Sequence, residues 1–257
     1  MTVDAPPASR RARPGPLARR PRNWRRALGA LRRLLADKDD TAQVFEIMRA
    51  LSGSAPQRSY LRLIGTVEGG RIAYERVELA GRLMDRAWLA RFAPGSVGAA
   101  YAAFTARENL SAQGLALESQ RGLPEAEIEL RHPIAWYGRR LRDIHDIWHV
   151  LTGYGRDALG ELCLVAFSYP QNRSLGWALI AVGGYLRARG AAARPYRRAI
   201  REAWRRGRAA AWLPGEDYDR LLAEPLEAAR RRLGLALPTA YAAVPPEARN
   251  PALGKLA

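Results

Sequence analysis

The amino-acid sequence predicts an all-α protein: a single multi-helix domain that follows a disordered, basic N-terminal tail. Apolar residues recur at intervals of three and four along most of the chain, as they do on one face of an α-helix. Alternating apolar and polar runs, which are typical of strands, are nearly absent, and the chain has no internal repeat. With 257 residues, the chain is long enough to bury a sizeable core.

The predicted helices follow one another along the chain. The first begins near Thr41, a candidate N-cap, carries apolar residues at helical spacing and stops at Gly53. A Pro-Gly-Ser break at 94–96 precedes a later helix. Further helices are predicted at 72–84, 85–92, 97–109, 133–152, 157–168, 174–189, 195–211 and 216–233, the last interrupted at Pro225.

The N-terminal segment is rich in proline and arginine and lacks apolar periodicity, which predicts disorder over about the first 25 residues. It has no apolar stretch of the kind that a secretory signal requires. An Arg-rich, acid-poor start is also typical of mitochondrial transit peptides, but the prolines before residue 22 disfavour the amphipathic helix that such a peptide needs. We therefore expect a basic tail that touches a membrane surface.

The formal net charge is +17 at pH 7, and two segments account for it. Residues 1–34 contain ten arginines and one acid, residues 187–208 contain nine arginines and one acid, and the rest of the chain is neutral. Such basic segments favour a polyanionic partner, either membrane headgroups or nucleic acid. No nucleic-acid-binding pattern accompanies them, so we expect an anionic membrane surface as partner and no nucleic acid.

Two predicted helices leave a structural and a membrane-related interpretation open. The run SLGWALIAVGGYL at 174–186 is too short to cross a bilayer, and is typical of a core helix, of a lipid-tunnel wall or of a surface that dips into the bilayer. At 195–213, Tyr196, Ile200 and Trp204 form a stripe among arginines, as in a core-facing helix or one docked at a membrane interface. The single cysteine, Cys163, has apolar neighbours and is predicted to be a buried structural thiol.

The stretch HDIWHVLTGYGRDALGE holds two of the three histidines, His145 and His149. Four residues apart on a helix, their rings project side by side and can grip one ion. The Gly-Tyr-Gly at 153–155 permits a reversal that brings Glu161, near the start of the next helix, back to the histidines. Two imidazoles with a carboxylate suit zinc, and equally iron(II). Asp146 could be a ligand, orient a histidine or act as a base.

The pattern His-Asp-x-x-His, followed by eleven residues and Glu, resembles the signature of the Coq4 family of ubiquinone biosynthesis proteins. Similar blocks stand in family order at 39–53, 94–104, 145–155 and 202–235. The resemblance covers roughly residues 36–238 and suggests a basic tail at 1–34, a Coq4-like helical domain at 35–238 and a C-terminal tail at 239–257. It implies that the metal ligands are His145, Asp146, His149 and Glu161, usually discussed as binding zinc.

The resemblance also implies an activity: a metal-dependent decarboxylase that replaces the C1 carboxylate of a polyprenylated hydroxybenzoate with a hydroxyl. Chemically, Asp146 or Glu161 could take the phenolic proton. Arg142, three residues before His145, could clamp the substrate carboxylate or be a solvated helix arginine. Zinc is the expected cofactor, with iron(II) as the alternative. The implied partners are the polyprenylated quinone precursor, other ubiquinone-biosynthesis proteins and, as a candidate, a second copy of the chain.

The expected location is peripheral, on the cytoplasmic face of a bacterial cell membrane or on the matrix side of the mitochondrial inner membrane. The main alternative function is a non-catalytic isoprenoid-lipid-binding scaffold that organises quinone-biosynthesis enzymes. A metal hydrolase is a weaker alternative. Asp146 is a shorter base than the Glu of metalloproteases, and the remaining histidine, His132, precedes a proline and is predicted to be structural.

Overall fold

The computed structural model of the chain describes residues 21–37, 40–108, 132–190 and 193–250. Fifteen α-helices and no strand occur in these ranges, which confirms the predicted fold class. The predicted disorder before residue 21 lies outside them. In chain order the helices are α1 (Trp24–Ala36), α2 (Thr41–Leu51), α3 (Ala55–Ile64), α4 (Val67–Glu75), α5 (Leu79–Met84), α6 (Arg86–Leu89), α7 (Val97–Arg107), α8 (Pro133–Asp143), α9 (His145–Thr152), α10 (Ala158–Asn172), α11 (Leu175–Arg187), α12 (Ala193–Ala209), α13 (Tyr218–Ala223), α14 (Leu226–Leu233) and α15 (Thr239–Ala242).

The main core lies around α10 and α12, the most extensively packed pair of helices. Gly207 on α12 allows the close approach, because a Cβ there would lie 2.3 Å from the carbonyl oxygen of Phe167 on α10. Cys163 is fully buried in this core, as predicted. Helix α12 faces the core with Tyr196 and Ile200, whereas Trp204 is partly exposed. Residues of α5, α6, α7, α9, α13, α14 and α15 complete this core.

A second apolar cluster joins α1, α2 and α11. Helix α1 buries Ala27, Ala30, Leu31 and Leu34, which follow helical spacing, and its arginines lie on the exposed side. Sequence analysis placed residues 24–34 in the basic tail, but they form most of this helix. The arginines among them hide the apolar spacing, since two of the four buried residues are alanines with little hydrophobic signal.

A third cluster joins α3, α4 and α8 around Leu63, Ile72 and Trp136. Sequence analysis did not predict α3. Its buried face consists of Ala55, Ser59 and Leu63, so two of the three core positions are small and the apolar periodicity is weak.

Several predicted boundaries differ from the observed ones. The helix predicted at 133–152 is interrupted at Ile144, and the helix predicted at 72–84 is interrupted after Glu75, where Arg76 adopts a left-handed backbone conformation with φ of 47°. At the other end of the chain, the predicted C-terminal tail contains α15. Tyr241 and Val244 from this segment are buried in the main core, so it is part of the folded unit as far as Asn250.

No helix within the described ranges has both the length and the apolar character needed to cross a bilayer.

Candidate metal centre

Helix α9 presents His145 and His149 side by side, as the spacing predicts. Their ring centroids are 5.0 Å apart, and the ring planes are inclined at 77°. The His149 side chain is fully buried and stacks on Phe104 of α7 with a centroid distance of 5.5 Å. The His145 side chain is 24% exposed. One imidazole is therefore enclosed by the core while the other reaches solvent.

Each histidine directs its Nδ1 atom towards a hydrogen-bond acceptor. The Nδ1 of His145 lies 3.1 Å from Oδ1 of Asp146, and the Nδ1 of His149 lies 3.1 Å from the carbonyl oxygen of Tyr154. Because an ionised carboxylate and a carbonyl only accept, Nδ1 carries the hydrogen in both rings. In a neutral imidazole this leaves the Nε2 lone pair free to bind a ligand. The Nε2 atom of His149 is buried and has no hydrogen-bond partner among the described residues.

Glu161 approaches both Nε2 atoms from the first turn of α10, which confirms the predicted reversal of the chain. Its Oε2 atom is 3.5 Å from Nε2 of His149 and 4.0 Å from Nε2 of His145. Asp157 begins this helix by accepting the Gly160 N–H at 2.8 Å. In addition, His145, Asp146 and His149 each offer a ligand atom, and these three atoms lie within 4.8 Å of one another.

The donor atoms fit a divalent cation. Bonds of about 2.0–2.2 Å in a tetrahedral zinc site separate the donor atoms by roughly 3.3 Å. The 3.5 Å between Glu161 and His149 is close to this spacing, and the 4.0 Å between Glu161 and His145 is somewhat longer. A buried lone pair that faces a carboxylate oxygen is unfavourable unless a proton or a metal cation lies between them. The unpartnered Nε2 of His149 is in this position. The set of two imidazoles and one carboxylate suits zinc or iron(II).

The acidic groups of the site are held in their ionised forms. Burial alone would raise the pKa of Asp146, but the hydrogen bond from His145 and the charges of both histidines lower it below the usual value. Burial likewise opposes ionisation of Glu161, yet His149, His145 and Arg156 together lower its pKa. Conversely, burial would lower the pKa of His145, and the neighbouring Asp146 and Glu161 outweigh it and raise that pKa.

Arg142 precedes the histidines in the sequence, and Arg156 lies between them and Glu161. Arg142 lies on α8, before the interruption at Ile144, and its Nε donates to Oδ1 of the buried Asp143 at 2.7 Å. The clamp role of Arg142 stays a prediction. Sequence analysis missed Arg156, whose Nε lies 3.2 Å from Oε1 of Glu161. The sequence feature that could have indicated Arg156 is its position in the reversal between His149 and Glu161.

Two further arginines, for which the sequence predicted no role at the site, hold the end of the histidine helix. Arg230 donates from Nε to the Leu151 carbonyl at 3.1 Å and from Nη2 to the Val150 carbonyl at 2.8 Å. Arg206 donates from Nη2 to the Thr152 carbonyl at 2.8 Å. No N–H group within the helix donates to these carbonyls, so the guanidinium groups supply the missing hydrogen bonds of the last turn of α9. No local sequence pattern indicated either contact.

Comparison with known proteins confirms the family resemblance that the sequence shows. The family model described as Coenzyme Q (ubiquinone) biosynthesis protein Coq4 matches residues 54–239. A protein of Nostoc punctiforme PCC 73102 that has been assigned to ubiquinone biosynthesis shares the fold. Its crystal structure superposes with a TM-score of 0.61 at 21% identity, covering 84% of this chain and 99% of that one.

Two curated relatives are similar over shorter stretches. The mitochondrial COQ4 homolog of Bos taurus is 28% identical over 179 residues, which is 66% of this chain and 62% of the bovine protein. The mitochondrial COQ4 protein of Arthroderma otae is 27% identical over 127 residues, which is 48% of this chain and 43% of the fungal protein. Each match thus spans less than two thirds of the relative's own length. Since the family model covers most of the chain, the protein belongs to the Coq4 family of ubiquinone biosynthesis proteins.

Proposed function

We propose that the chain binds a divalent metal through His145, His149 and Glu161 and uses it to exchange the C1 carboxylate of a polyprenylated hydroxybenzoate for a hydroxyl. The observation that carries this proposal is the convergence of two Nε2 atoms on one carboxylate. One of these atoms is buried and has no other partner. Zinc is the metal we assign first, and iron(II) accepts the same donors.

Asp146 is, in this proposal, a residue that orients a ligand. Its carboxylate holds Nδ1 of His145, and the Tyr154 carbonyl does the same for His149, so both rings keep Nε2 turned towards Glu161. Partners of this kind fix the tautomer and orientation of metal-bound histidines and raise their basicity. A bound cation would supply Lewis acidity towards an oxygen of the substrate headgroup.

The chain's own residues would handle the substrate's proton and charge. A ring with a hydroxyl para to its carboxylate releases CO₂ once the phenol is ionised and C1 has taken up an electrophile. We assign Glu161 as the base for the phenolic proton and Arg156, whose side chain is 33% exposed, as a contact for the carboxylate. Dioxygen balances the exchange. One of its oxygen atoms becomes the C1 oxygen, the carboxyl group leaves as CO₂, and the second oxygen atom leaves as water. The ring is then released as the quinone, which is the two-electron-oxidised form of the ring with a C1 hydroxyl.

We also propose that an anionic membrane surface is the partner of α1 and α11. The two helices contact each other, with Gly183 close to Leu31. Each leaves large apolar side chains exposed at a spacing of four, Trp24 and Leu28 on α1 and Val182 and Leu186 on α11. Apolar side chains next to exposed arginines suit an interface with anionic headgroups.

The metal assignment is tested by elemental analysis of the purified protein and two of its variants, His149→Ala and Glu161→Ala. Wild-type protein should carry close to one equivalent of zinc or iron, and both variants should lose it. The matched control is His132→Asn. This third histidine caps α8 by accepting the Ile134 N–H at 3.2 Å, and asparagine is also a good N-cap, so the variant should keep its metal.

The catalytic assignment is tested by quinone production in cells that depend on this protein. The two metal-free variants should fail to support quinone synthesis, while His132→Asn should support it fully. Folded, metal-free protein that still supports full synthesis would contradict catalysis at this site and favour the non-catalytic scaffold. Mass spectrometry of co-purifying lipid provides a second test, in which recovery of a prenylated benzoate or quinone is the expected result.

A further inference from the structure

We infer that the C-terminal segment 239–250 is a brace that positions Glu161 against the histidines, with Tyr241 as its main positioning residue. The inference rests on the proposed metal site and assigns a role to residues that, apart from the first, lie beyond the family match, which ends at 239. It concerns the loop between α9 and α10 and the first turn of α10.

This loop sets the distance between the histidines and Glu161. At one end of it, the Tyr154 carbonyl accepts the hydrogen of His149 Nδ1. At the other end, Asp157 caps α10, and the N–H of Glu161 donates to the Asp157 carbonyl oxygen at 3.0 Å. A shift of the loop would therefore turn the His149 ring and move Glu161 at the same time.

Tyr241 contacts three residues of this loop. Its hydroxyl accepts the Gly155 N–H at 3.0 Å and donates to the Asp157 carboxylate. Its ring packs edge to face against Tyr154, with centroids 5.4 Å apart. Arg249 in turn lies over the Tyr241 ring at 4.3 Å and donates to the hydroxyl at 3.3 Å. The hydroxyl thus uses its one donor and both acceptor positions.

The same segment also satisfies the start of α10. The N–H of Ala158 donates to Oδ1 of Asn250 at 2.8 Å, and the N–H of Leu159 donates to the Arg249 carbonyl at 3.1 Å. N–H groups in the first turn of a helix have no acceptor within the helix. The turn that carries Glu161 is therefore fixed by residues much later in the chain.

The fit between the tyrosine and the loop is close. A Cβ at Gly155 would lie 2.7 Å from the Tyr241 hydroxyl, so the loop approaches to a distance that suits glycine. Burial and the hydrogen bond to Asp157 raise the pKa of Tyr241 to about 12, so the hydroxyl keeps the proton that it donates at neutral pH.

The test compares Tyr241→Phe with Tyr137→Phe as a matched control. Tyr137 is also buried, and its hydroxyl is hydrogen bonded to Ser59 at 2.7 Å, but it belongs to the cluster of α3, α4 and α8. Hydrogen exchange is measured in the metal-free proteins, and zinc affinity is measured by competition with a chelator. For Tyr241→Phe we expect about tenfold faster exchange at the amides of residues 158–161 and about tenfold weaker zinc binding.

Each outcome decides a separate claim. Unchanged exchange at residues 158–161, or an equal change in Tyr137→Phe, overturns the brace. Faster exchange with unchanged zinc affinity also overturns it, because the segment would then stabilise the helix without positioning Glu161. If wild-type protein binds no zinc or iron, the proposed metal site fails, and the exchange comparison still decides whether Tyr241 holds the loop.

Discussion

Helices α9 and α11 precede and follow α10 in the chain. Helix α9 buries polar side chains, whereas α11 leaves apolar side chains exposed, so both depart from the usual rule that apolar residues are buried and polar residues are exposed. Seven of the eight residues of α9 are buried, Asp146 and His149 among them. In α11, an apolar helix with one charged residue, only Gly176 and Ile180 of thirteen are buried. Hydropathy alone would predict deeper burial for α11 than for α9.

Each departure lowers the free energy of unfolding, and is therefore informative about function. Buried polar groups require partners, which α9 finds in the Tyr154 carbonyl, in Arg230 and, as we propose, in a metal. A contiguous patch of exposed apolar side chains indicates a surface that a partner or a membrane covers. The difference between the helices therefore separates the proposed site of chemistry from the proposed docking surface, and the predictions below test each of them in turn.

The largest effect is expected from Asp146→Ala. Loss of a carboxylate that orients a metal-bound histidine typically weakens metal binding by about 10- to 100-fold, and chelator competition measures this. Asp146→Asn keeps an acceptor for His145 Nδ1 without the charge and should fall between wild type and alanine. A loss as large as that of His149→Ala would instead make Asp146 a direct ligand.

A second test addresses the contacts that stabilise α9 in its buried position. Arg230→Met would leave the Val150 and Leu151 carbonyls without the guanidinium that they share, and should lower the free energy of unfolding by about 2 kcal/mol. Urea denaturation measures the loss. Arg231→Met removes the same charge from an exposed neighbour and should have little effect. Equal losses in the two variants would indicate a general charge effect rather than support of α9.

The two helices also show how far the sequence can predict such a site. His145, His149 and Glu161 were predictable because helical spacing and one short reversal bring them together. The supporting residues Tyr241 and Arg230 come from segments about 80 positions away, and no local pattern encodes a contact of that range. Helix α11 was predicted in place, but its exposure depends on which neighbours cover it, which periodicity does not determine.

The proposed membrane docking through α11 is tested by two variants, Val182→Asp and Leu186→Asp. These side chains are 54% and 64% exposed, so the folded state should tolerate the change. Each substitution should weaken binding to vesicles that contain anionic lipid by about tenfold, because an apolar side chain no longer enters the interface. The control is Val67→Asp on α4, whose side chain is 95% exposed. Equal weakening by the control, or none by the α11 variants, would contradict docking through α11.

The smallest effect is expected for Asp217, whose carboxylate is held by backbone hydrogen bonds and an arginine and can be compared with that of Asp146. Burial would raise the pKa of Asp217, but hydrogen bonds from the Arg220 backbone and from Arg71 outweigh it and lower that pKa below its usual value near 3.8. The charge therefore stabilises the fold above this pH, and the contribution disappears as the pH falls through the lowered pKa. Asp217→Asn keeps the cap of α13 and should cost less than about 1 kcal/mol at neutral pH. Urea denaturation of both proteins at successively lower pH should show the gap closing, and a gap that stays constant would place the effect in the cap instead of in the charge.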